Sequence, residues 1–218
     1  MKICILIPSF NEERTIGWLV KTVLEYGYDV FVIDDGSSDK TAKLAQENGA
    51  NVIINESNMG KGASLRKAFK LLMDKNYDAF IIMDGDGQHL PEDLVYFVKL
   101  FEKERPGIIV GNRMIKPKGM PLIRWLTNKF MSFVLSKMCR QDVFDSQCGF
   151  RLVDMNVLKK LRLSTEKFEI ESEMLIEAAS NGFRIESVPI TTIYSGQNSA
   201  IHPVKDTIRF FQFVFKKR

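Results

Sequence analysis

The first half of the chain alternates short apolar segments with longer helical segments, and this alternation constrains the fold more than any other feature. The short segments are rich in β-branched residues and apolar on both faces, as buried parallel strands are: Ile3–Ile7, Val30–Ile33, Val52–Ile54, Ala79–Met83 and Ile108–Val110. The segments between them are predicted to be helices: Glu12–Glu25, Lys40–Glu47, Lys61–Lys75 and Glu92–Lys103. The sequence therefore predicts an α/β fold with a mostly parallel sheet and helices on both faces.

The second half is less regular, but no Pro-, Gly- or Ser-rich linker separates it from the first half. Helices are predicted at Pro121–Lys137, Glu169–Ser180 and Val204–Phe215, and a strand at Phe183–Thr192. A chain of 218 residues buries enough surface for one sizeable core. We therefore predict a single domain over residues 1–218, built from the halves 1–110 and 111–218.

Composition excludes several classes of protein. The 31 basic and 27 acidic residues give a net charge of +4, which is too small to indicate nucleic-acid binding. The three cysteines form no Cys-x-x-Cys pair, so neither a disulfide framework nor a zinc cluster is expected, and a reducing cytosol is the default compartment. No stretch approaches the roughly 18 apolar residues of a membrane-spanning helix.

An Asp-Gly-Asp-Gly-Gln-His segment directly follows the strand predicted at Ala79–Met83, and ligands of open parallel sheets bind beyond such strand ends. Asp84 and Asp86 are two residues apart, so an extended backbone places both carboxylates on one side, where they repel each other unless a cation neutralises them. With the amide oxygen of Gln88 they offer the all-oxygen ligands that Mg²⁺ or Mn²⁺ prefers. Gly85 would let a diphosphate approach the backbone closely. A solvated loop is the alternative.

Three further polar segments are candidates for ligand binding. Phe10 and Glu12, after the first strand, either form the wall and hydrogen-bonding group of a base or ribose pocket or simply begin a helix. Asp35, after the second strand, either accepts a hydrogen bond from a nucleobase or ribose or lies in a segment that caps the next helix. Lys61 either reaches a phosphate at a helix start or is a solvated lysine.

In order and spacing these segments resemble the motifs of family 2 glycosyltransferases, and most of all those of the polyprenyl-phosphate (dolichol-phosphate) mannosyl- and glucosyltransferase branch. The motifs are Ile-Pro-Ser-Phe-Asn-Glu-Glu, Asp-Asp-Gly-Ser-Ser-Asp, Asn-Met-Gly-Lys-Gly and Met-Asp-Gly-Asp-Gly-Gln-His, followed by Gly111–Arg113, Asp145–Arg151 and Glu186–Ile190. The resemblance covers nearly the whole chain. It implies a GT-A (Rossmann-like) fold, a GDP- or UDP-hexose donor, Mg²⁺ or Mn²⁺, and inversion at the anomeric carbon.

The resemblance also implies roles for individual residues. The nucleoside-binding positions are Pro8, Phe10, Glu12, Ile33 and Asp35, with Phe10 where a tyrosine is common. The metal-binding positions are Asp84, Asp86 and Gln88, and Gly85 and Lys61 would lie by the sugar diphosphate. The catalytic residues would be Asp86, Arg113 and Arg124, with both arginines facing the acceptor phosphate. Residues 1–110 would thus bind the nucleotide sugar and residues 111–218 the acceptor.

The residues themselves leave the acceptor open between two kinds of nucleophile. A sugar hydroxyl needs a general base, and Asp145, Glu171 and Glu173 lie in the second half. A polyprenyl phosphate is already an anion and needs positioning by arginines, for which Arg113, Arg124 and Arg151 are available. With the resemblance, the preferred hypothesis is metal-dependent, inverting transfer of a hexose to dolichyl or undecaprenyl phosphate. Transfer to a hydroxyl of a glycan or lipid, or sugar-nucleotide binding without catalysis, are the alternatives.

Two positions depart from the family pattern and leave the exact sugar and acceptor open. The segment 195–200 replaces a stretch with an arginine near Gly-x-Ser-Lys, and Asn128 stands where a serine is expected. Two other segments, Met120–Lys137 and Phe210–Arg218, mix aromatic residues with Lys and Arg, as helices lying on an anionic bilayer do. Packing on the core or on a second subunit is the alternative. We expect a cytoplasmic protein bound peripherally to the membrane.

Overall fold

The computed structural model describes residues 1–193 except Lys116 and Lys118. The strands are β1 (Ile3–Ser9), β2 (Asp29–Asp34), β3 (Asn51–Ile54), β4 (Ala79–Ile82), β5 (Ile108–Asn112), β6 (Arg151–Asp154) and β7 (Ile185–Pro189). They form one seven-stranded sheet in the order β3-β2-β1-β4-β6-β5-β7. Every neighbouring pair is parallel except those of β6, which is antiparallel to β4 and to β5. The predicted α/β class with a mostly parallel sheet is confirmed.

The helices lie between these strands in the chain. They are α1 (Ile16–Glu25), α2 (Thr41–Glu47), α3 (Lys61–Leu72), α4 (Leu94–Glu104), α5 (Leu122–Cys139), α6 (Met155–Leu158) and α7 (Glu169–Ser180). Short 3₁₀ turns occupy Pro91–Asp93 and Arg113–Ile115. The helix predicted over 204–215, the membrane segment 210–218 and the unusual segment 195–200 lie outside the described residues.

The first predicted helix begins later than expected, at Ile16 instead of Glu12. Asn11 has a φ of 56°, in the left-handed region, and its backbone N–H donates to the Ser37 hydroxyl at 2.9 Å. The backbone N–H of Glu12 donates to the Thr41 hydroxyl at 2.7 Å. These hydrogen bonds hold the backbone of residues 11 and 12 against residues that follow β2. The helix therefore starts only after this segment.

Strand β6 was not predicted. It begins at Arg151 and gives this residue a structural role. The Arg151 guanidinium is fully buried and donates to the carbonyl oxygens of Cys148 at 2.7 Å, Ser146 at 2.6 Å and Glu171. Three backbone carbonyls compensate the burial of this charge. The expectation that Arg151 helps to position an acceptor anion is therefore wrong, because its donors hold the backbone together instead.

The parallel strands bring the candidate residues to one edge of the sheet. All residues of β1 and β4 are buried, and the register sets Ile3 of β1 beside Ala79 of β4 and Ser9 of β1 beside Asp34 of β2. The loops after β1, β2 and β4 therefore leave the sheet at the same carboxyl edge, where ligands of such sheets bind.

Candidate functional site at the carboxyl edge of the sheet

Lys61 joins two acidic side chains from distant parts of the chain. Its Nζ lies 2.5 Å from Asp84 Oδ1, after β4, and 2.6 Å from Glu171 Oε1, in the first turn of α7. Burial lowers the pKa of Lys61, but the charges of Asp84 and Glu171 outweigh it, and the pKa is raised overall. Burial likewise raises the pKa of Asp84, but the Lys61 ammonium reverses this and leaves it lowered. Lys61 and Asp84 are therefore both charged, and the lysine predicted at a phosphate is held at the candidate metal site.

Gly149, in the Cys-Gly-Phe-Arg segment, makes room for this ion cluster. A Cβ placed on Gly149 would overlap the carboxylate of Asp84 and lie 2.8 Å from Lys61 Nζ. The sequence did not show why a glycine is needed at position 149. It showed only that the residue lies in a family motif.

We expect Gly149→Ala to lower the free energy of unfolding by about 1–3 kcal/mol, because the added methyl group forces buried charged atoms apart. Gly17→Ala is the matched control, since a Cβ there meets only the end of the Asn48 side chain, at 3.0 Å. Chemical denaturation of both variants measures the difference. Equal stability of the Gly149→Ala variant and the parent would contradict the crowding seen here.

Negative charge is concentrated beside this cluster. Burial, followed by the charge of Asp84, raises the pKa of Asp86 to about 6. Burial, followed by Asp86 and Asp84, raises the pKa of Glu12 to about 7. Asp86 Oδ1 accepts the backbone N–H of Gln88 at 2.9 Å, which fixes the turn between them. A bound cation would relieve the repulsion among these acids.

The donor set suits a hard divalent cation that is shared with a ligand. Asp84, Asp86 and Gln88 offer carboxylate and amide oxygen atoms, the ligands that Mg²⁺ and Mn²⁺ prefer. Within residues 1–193, apart from the two not described, no three His, Cys, Asp or Glu side chains group into a ready-made metal site. The oxygen donors of Asp84, Asp86 and Gln88 fit a cation whose remaining ligands are oxygens of a bound phosphate, the usual arrangement for Mg²⁺.

Asp35 organises the loop that leads into α3. Its Oδ1 accepts from Asn55 Nδ2 at 2.9 Å, from the backbone N–H of Met59 at 2.9 Å and from the Ser64 hydroxyl at 2.7 Å. Its Oδ2 accepts the backbone N–H of Gly60 at 2.8 Å. This positioning role was not foreseen from the sequence, and direct contact of Asp35 with a nucleoside stays a prediction.

The neighbouring Asp34 offers a second hydrogen-bond acceptor at the end of β2. Asp34 is 2% exposed, and its Oδ1 has no hydrogen-bond partner among the described residues, whereas Oδ2 accepts the backbone N–H of Ser37 at 3.3 Å. A buried carboxylate oxygen without a donor is costly. A ligand N–H or O–H at the end of β2 would satisfy it.

The other predicted nucleoside-binding residues divide into buried and exposed positions. Pro8 and Ile33 are register partners in β1 and β2 and are buried in the sheet. Phe10 is 44% exposed at the end of β1, and it is the member of this set that can offer a ring face to a ligand. The carbonyl of Gly85 accepts the Thr15 hydroxyl at 2.6 Å, and a Cβ on Gly85 would overlap Ser9 Oγ.

The two predicted acceptor arginines lie in different environments. Arg113 is buried, and its Nε and Nη2 donate to Asp145 Oδ2 and Oδ1, each at 2.8 Å. Asn128 Nδ2 donates to the same carboxylate at 2.8 Å. Arg124 is half-buried near the start of α5, and its charge acts on Asp86. The contact of Arg113 and Arg124 with an acceptor stays a prediction, and Arg124 is the more accessible of the two.

Two of the three carboxylates considered as general bases are unsuited to that role. Burial raises the pKa of Asp145, but Arg113 outweighs it and the pKa is lowered. Glu173 accepts the N–H and hydroxyl groups of Ser164 and Thr165 at 2.7–2.9 Å, and these bonds outweigh burial and lower its pKa. Both groups therefore bind protons weakly. The third, Glu171, is held by Lys61.

The outer face of α5 carries apolar side chains that are each more than half exposed. Its exposed side chains are Leu122, Ile123, Leu126, Phe130 and Phe133. Lys129 Nζ lies 4.7 Å from the centre of the Trp125 ring, so basic groups border the apolar ones. A cavity of about 300 Å³ opens between α5 and the 143–144 segment. Across the residues described, no helix is both long enough and apolar enough to cross a bilayer.

A family profile and two curated relatives match most of the chain. Residues 4–162 match the profile described as Glycosyl transferase family 2. A UDP-N-acetylglucosamine–dolichyl-phosphate N-acetylglucosaminyltransferase of Methanococcus voltae is 32% identical, over 91% of this chain and 88% of its own length. An undecaprenyl-phosphate mannosyltransferase of Micrococcus luteus is 28% identical, over 88% and 84%.

Among solved structures, the chain resembles glucosyl-3-phosphoglycerate synthase of Mycobacterium tuberculosis, in a complex that contains Mn²⁺, UDP and glucosyl-3-phosphoglycerate. The TM-score is 0.77 at 17% identity, and the alignment covers 99% of this chain and 79% of the other. At this identity the likeness is evidence for the fold alone.

Proposed function

Because this chain belongs to glycosyltransferase family 2, on the branch that includes dolichyl- and undecaprenyl-phosphate glycosyltransferases, we propose that it transfers a hexose from a nucleotide sugar to a polyprenyl phosphate. The chain is a glycosyltransferase with a GT-A fold. The donor, the acceptor and the need for a metal ion are the parts that we propose.

The donor is assigned to the carboxyl edge of β1, β2 and β4. Phe10 offers a ring face to the base, and Asp34 Oδ1 offers a buried acceptor. Asp84, Asp86 and Gln88 would hold Mg²⁺ or Mn²⁺, which when bound supplies positive charge to the diphosphate leaving group. Lys61 lies in contact with Asp84 and adds a protein cation at the same place. The proposed donor is a GDP- or UDP-hexose.

The observation that carries the choice of acceptor is the state of the candidate bases. Asp145 and Glu173 have lowered pKa values because hydrogen bonds and an arginine hold them ionised, and Glu171 is paired with Lys61. A hydroxyl acceptor needs a general base to take up its proton, and these three acids of the second half are unsuited to that role or engaged elsewhere. Glu12 and Asp86, whose pKa values are raised, are assigned to the donor and its cation. A phosphate acceptor arrives as an anion and needs only to be positioned. Arg124, beside the donor acids, is suited to that task.

The acceptor lipid also gives a reason for the exposed face of α5. Apolar side chains bordered by lysines favour a helix lying at the surface of an anionic bilayer. We propose that α5 brings the enzyme to the cytoplasmic face of the membrane, where a polyprenyl phosphate presents its headgroup. Cytoplasmic location and peripheral membrane contact are thus part of the same proposal.

The test is an acceptor competition. The protein is incubated with Mn²⁺, labelled GDP- or UDP-hexoses, and either undecaprenyl phosphate, dolichyl phosphate or the matching polyprenols in liposomes. We expect label in the phosphates and none in the polyprenols. Label in a hydroxyl acceptor alone would contradict the proposed acceptor, and absence of transfer from every donor would favour a binding module without catalysis.

We expect Arg124→Ala to lower kcat/KM for the lipid phosphate by about tenfold or more, because a charge-assisted hydrogen bond contributes about 1.5–3 kcal/mol. Donor binding should change little. Arg162→Ala, at an exposed arginine, is the control. Titration of the lipid at saturating donor measures the effect, and an unchanged kcat/KM would remove Arg124 from the acceptor site.

A further inference from the structure

The segment that follows β7 is fastened to the loop that carries the candidate metal ligands. The backbone N–H of Ile193 donates to the carbonyl of Gln88 at 3.0 Å, and Thr192 forms an antiparallel bridge with His89. The segment Thr191–Ile193, named the strap here, therefore fixes the backbone of Gln88 and His89 from one side.

A buried carboxylate holds the strap in turn. Asp93 Oδ2 accepts the backbone N–H of Thr191 at 2.8 Å, and Asp93 is 7% exposed. Asp93 stands at the N-cap position of α4, where an aspartate ordinarily caps the helix, but its side chain makes no capping hydrogen bond. Helix capping therefore does not account for this buried acid, and its contact with the strap does.

The loop held by the strap needs such support. Gly87 lies between Asp86 and Gln88 with a φ of 70°, and a glycine loses more conformational freedom on ordering than any other residue. Asp86 Oδ1 binds the backbone N–H of Gln88 at 2.9 Å on one side, and the strap binds the carbonyl of Gln88 on the other. Hydrogen bonds thus hold both the backbone N–H and the backbone carbonyl of Gln88.

We propose that Asp93 is a positioning residue of the glycosyltransferase site, which acts through the strap to hold Asp86 and Gln88 in the orientation that binds the cation and the donor diphosphate. This inference rests on the proposed function. Asp93 does not itself touch the ligand. Removing a hydrogen-bond partner of a metal ligand ordinarily weakens metal binding by about 10- to 100-fold, and Ile193 of the strap is such a partner of Gln88.

The test compares Asp93→Ala with the conservative Asp93→Asn, whose side-chain oxygen still accepts the N–H of Thr191. Ile193→Pro breaks the next contact of the strap, because proline has no N–H to donate to Gln88. It does not alter Asp93 and serves also if Asp93→Ala fails to fold. Glu92→Ala, at the exposed acid next in the chain, is the matched control.

Two readouts are taken. Mn²⁺ is titrated by electron paramagnetic resonance in the presence of UDP or GDP, and amide hydrogen exchange follows the peptide 84–90. We expect Asp93→Ala and Ile193→Pro to weaken Mn²⁺ binding by about tenfold or more and to speed exchange of that peptide, with Asp93→Asn and Glu92→Ala close to the parent.

The outcomes separate this inference from the proposed function. Mn²⁺ affinity and exchange like the parent's in folded Asp93→Ala or Ile193→Pro would overturn the role of the strap and leave the function standing. An equal loss in Asp93→Asn and Asp93→Ala would also overturn it, because the hydrogen bond would then not be the cause. Absence of Mn²⁺ binding in the parent protein would overturn the metal site and the inference together.

Discussion

Asp86→Ala should reduce sugar transfer by at least about a hundredfold while the protein stays folded, since removing one electrostatic contact to developing charge commonly costs that much. Of the two acids proposed to bind the cation, Asp84 is paired with Lys61 and Asp86 is not. Burial and the charge of Asp84 raise the pKa of Asp86 to about 6. A buried carboxyl whose pKa is raised is destabilising when ionised at neutral pH. The variant should therefore be at least as thermally stable as the parent.

Transfer rates at saturating Mn²⁺ and donor, with thermal unfolding alongside, measure this prediction. Asp74→Ala is the control, because Asp74 is an exposed acid that precedes β4, whereas Asp86 follows the other end of that strand. Retention of more than about a tenth of the parent rate would show that Asp86 is not required. A large loss of thermal stability would show that Asp86 is structural.

The second large effect is on stability, at the buried pair of Asp145 and Arg113. Asp145→Ala should lower the free energy of unfolding by about 3–5 kcal/mol, because it leaves a buried guanidinium without its carboxylate. Asp145 is completely buried and also accepts from Asn128, so water cannot easily replace it. Asp142→Ala, at an exposed acid nearby, is the control. Chemical denaturation measures both, and a loss below about 1 kcal/mol would contradict the prediction.

The same pair predicts a dependence of stability on pH. The pKa of Asp145 in the folded protein lies below its ordinary value of 3.8, because Arg113 outweighs burial. Its contribution to stability is therefore complete above the ordinary value and is lost as the pH falls through the folded value. Asp145→Asn should lose less stability than the parent when the pH is lowered through this range, because Asn has no carboxylate to protonate. Unfolding free energies measured across an acid titration test this.

The sequence predicted the parts of this protein that depend on local pattern. Consecutive apolar residues located β1, β2, β3, β4 and β5 to within two residues at either end, and spacing alone brought Asp84, Asp86 and Gln88 to one strand end. The antiparallel strand β6 was missed because it is only four residues long and begins with the charged Arg151. A charged residue at a strand start indicates exposure unless its tertiary partners are known.

Contacts between residues far apart in the chain could not be predicted from the sequence either. Lys61 and Glu171 are 110 residues apart, and Arg113 and Asp145 are 32 apart, so no periodicity links them. The family resemblance placed Arg113 at the acceptor phosphate, and Asp145 was a candidate base, whereas in the fold the two side chains form an ion pair. Asn128, which departs from the family pattern, contributes its side-chain N–H to that pair.

We expect the acidic edge at β4 to hold the donor diphosphate through a divalent cation. A crystal grown with Mn²⁺ and UDP or GDP tests it most directly, through the anomalous signal of manganese. We predict a peak bonded to Asp84, Asp86 and Gln88, with the diphosphate beside Gly85 and the base near Phe10. A nucleotide bound elsewhere, or a manganese peak away from Asp86, would contradict the account.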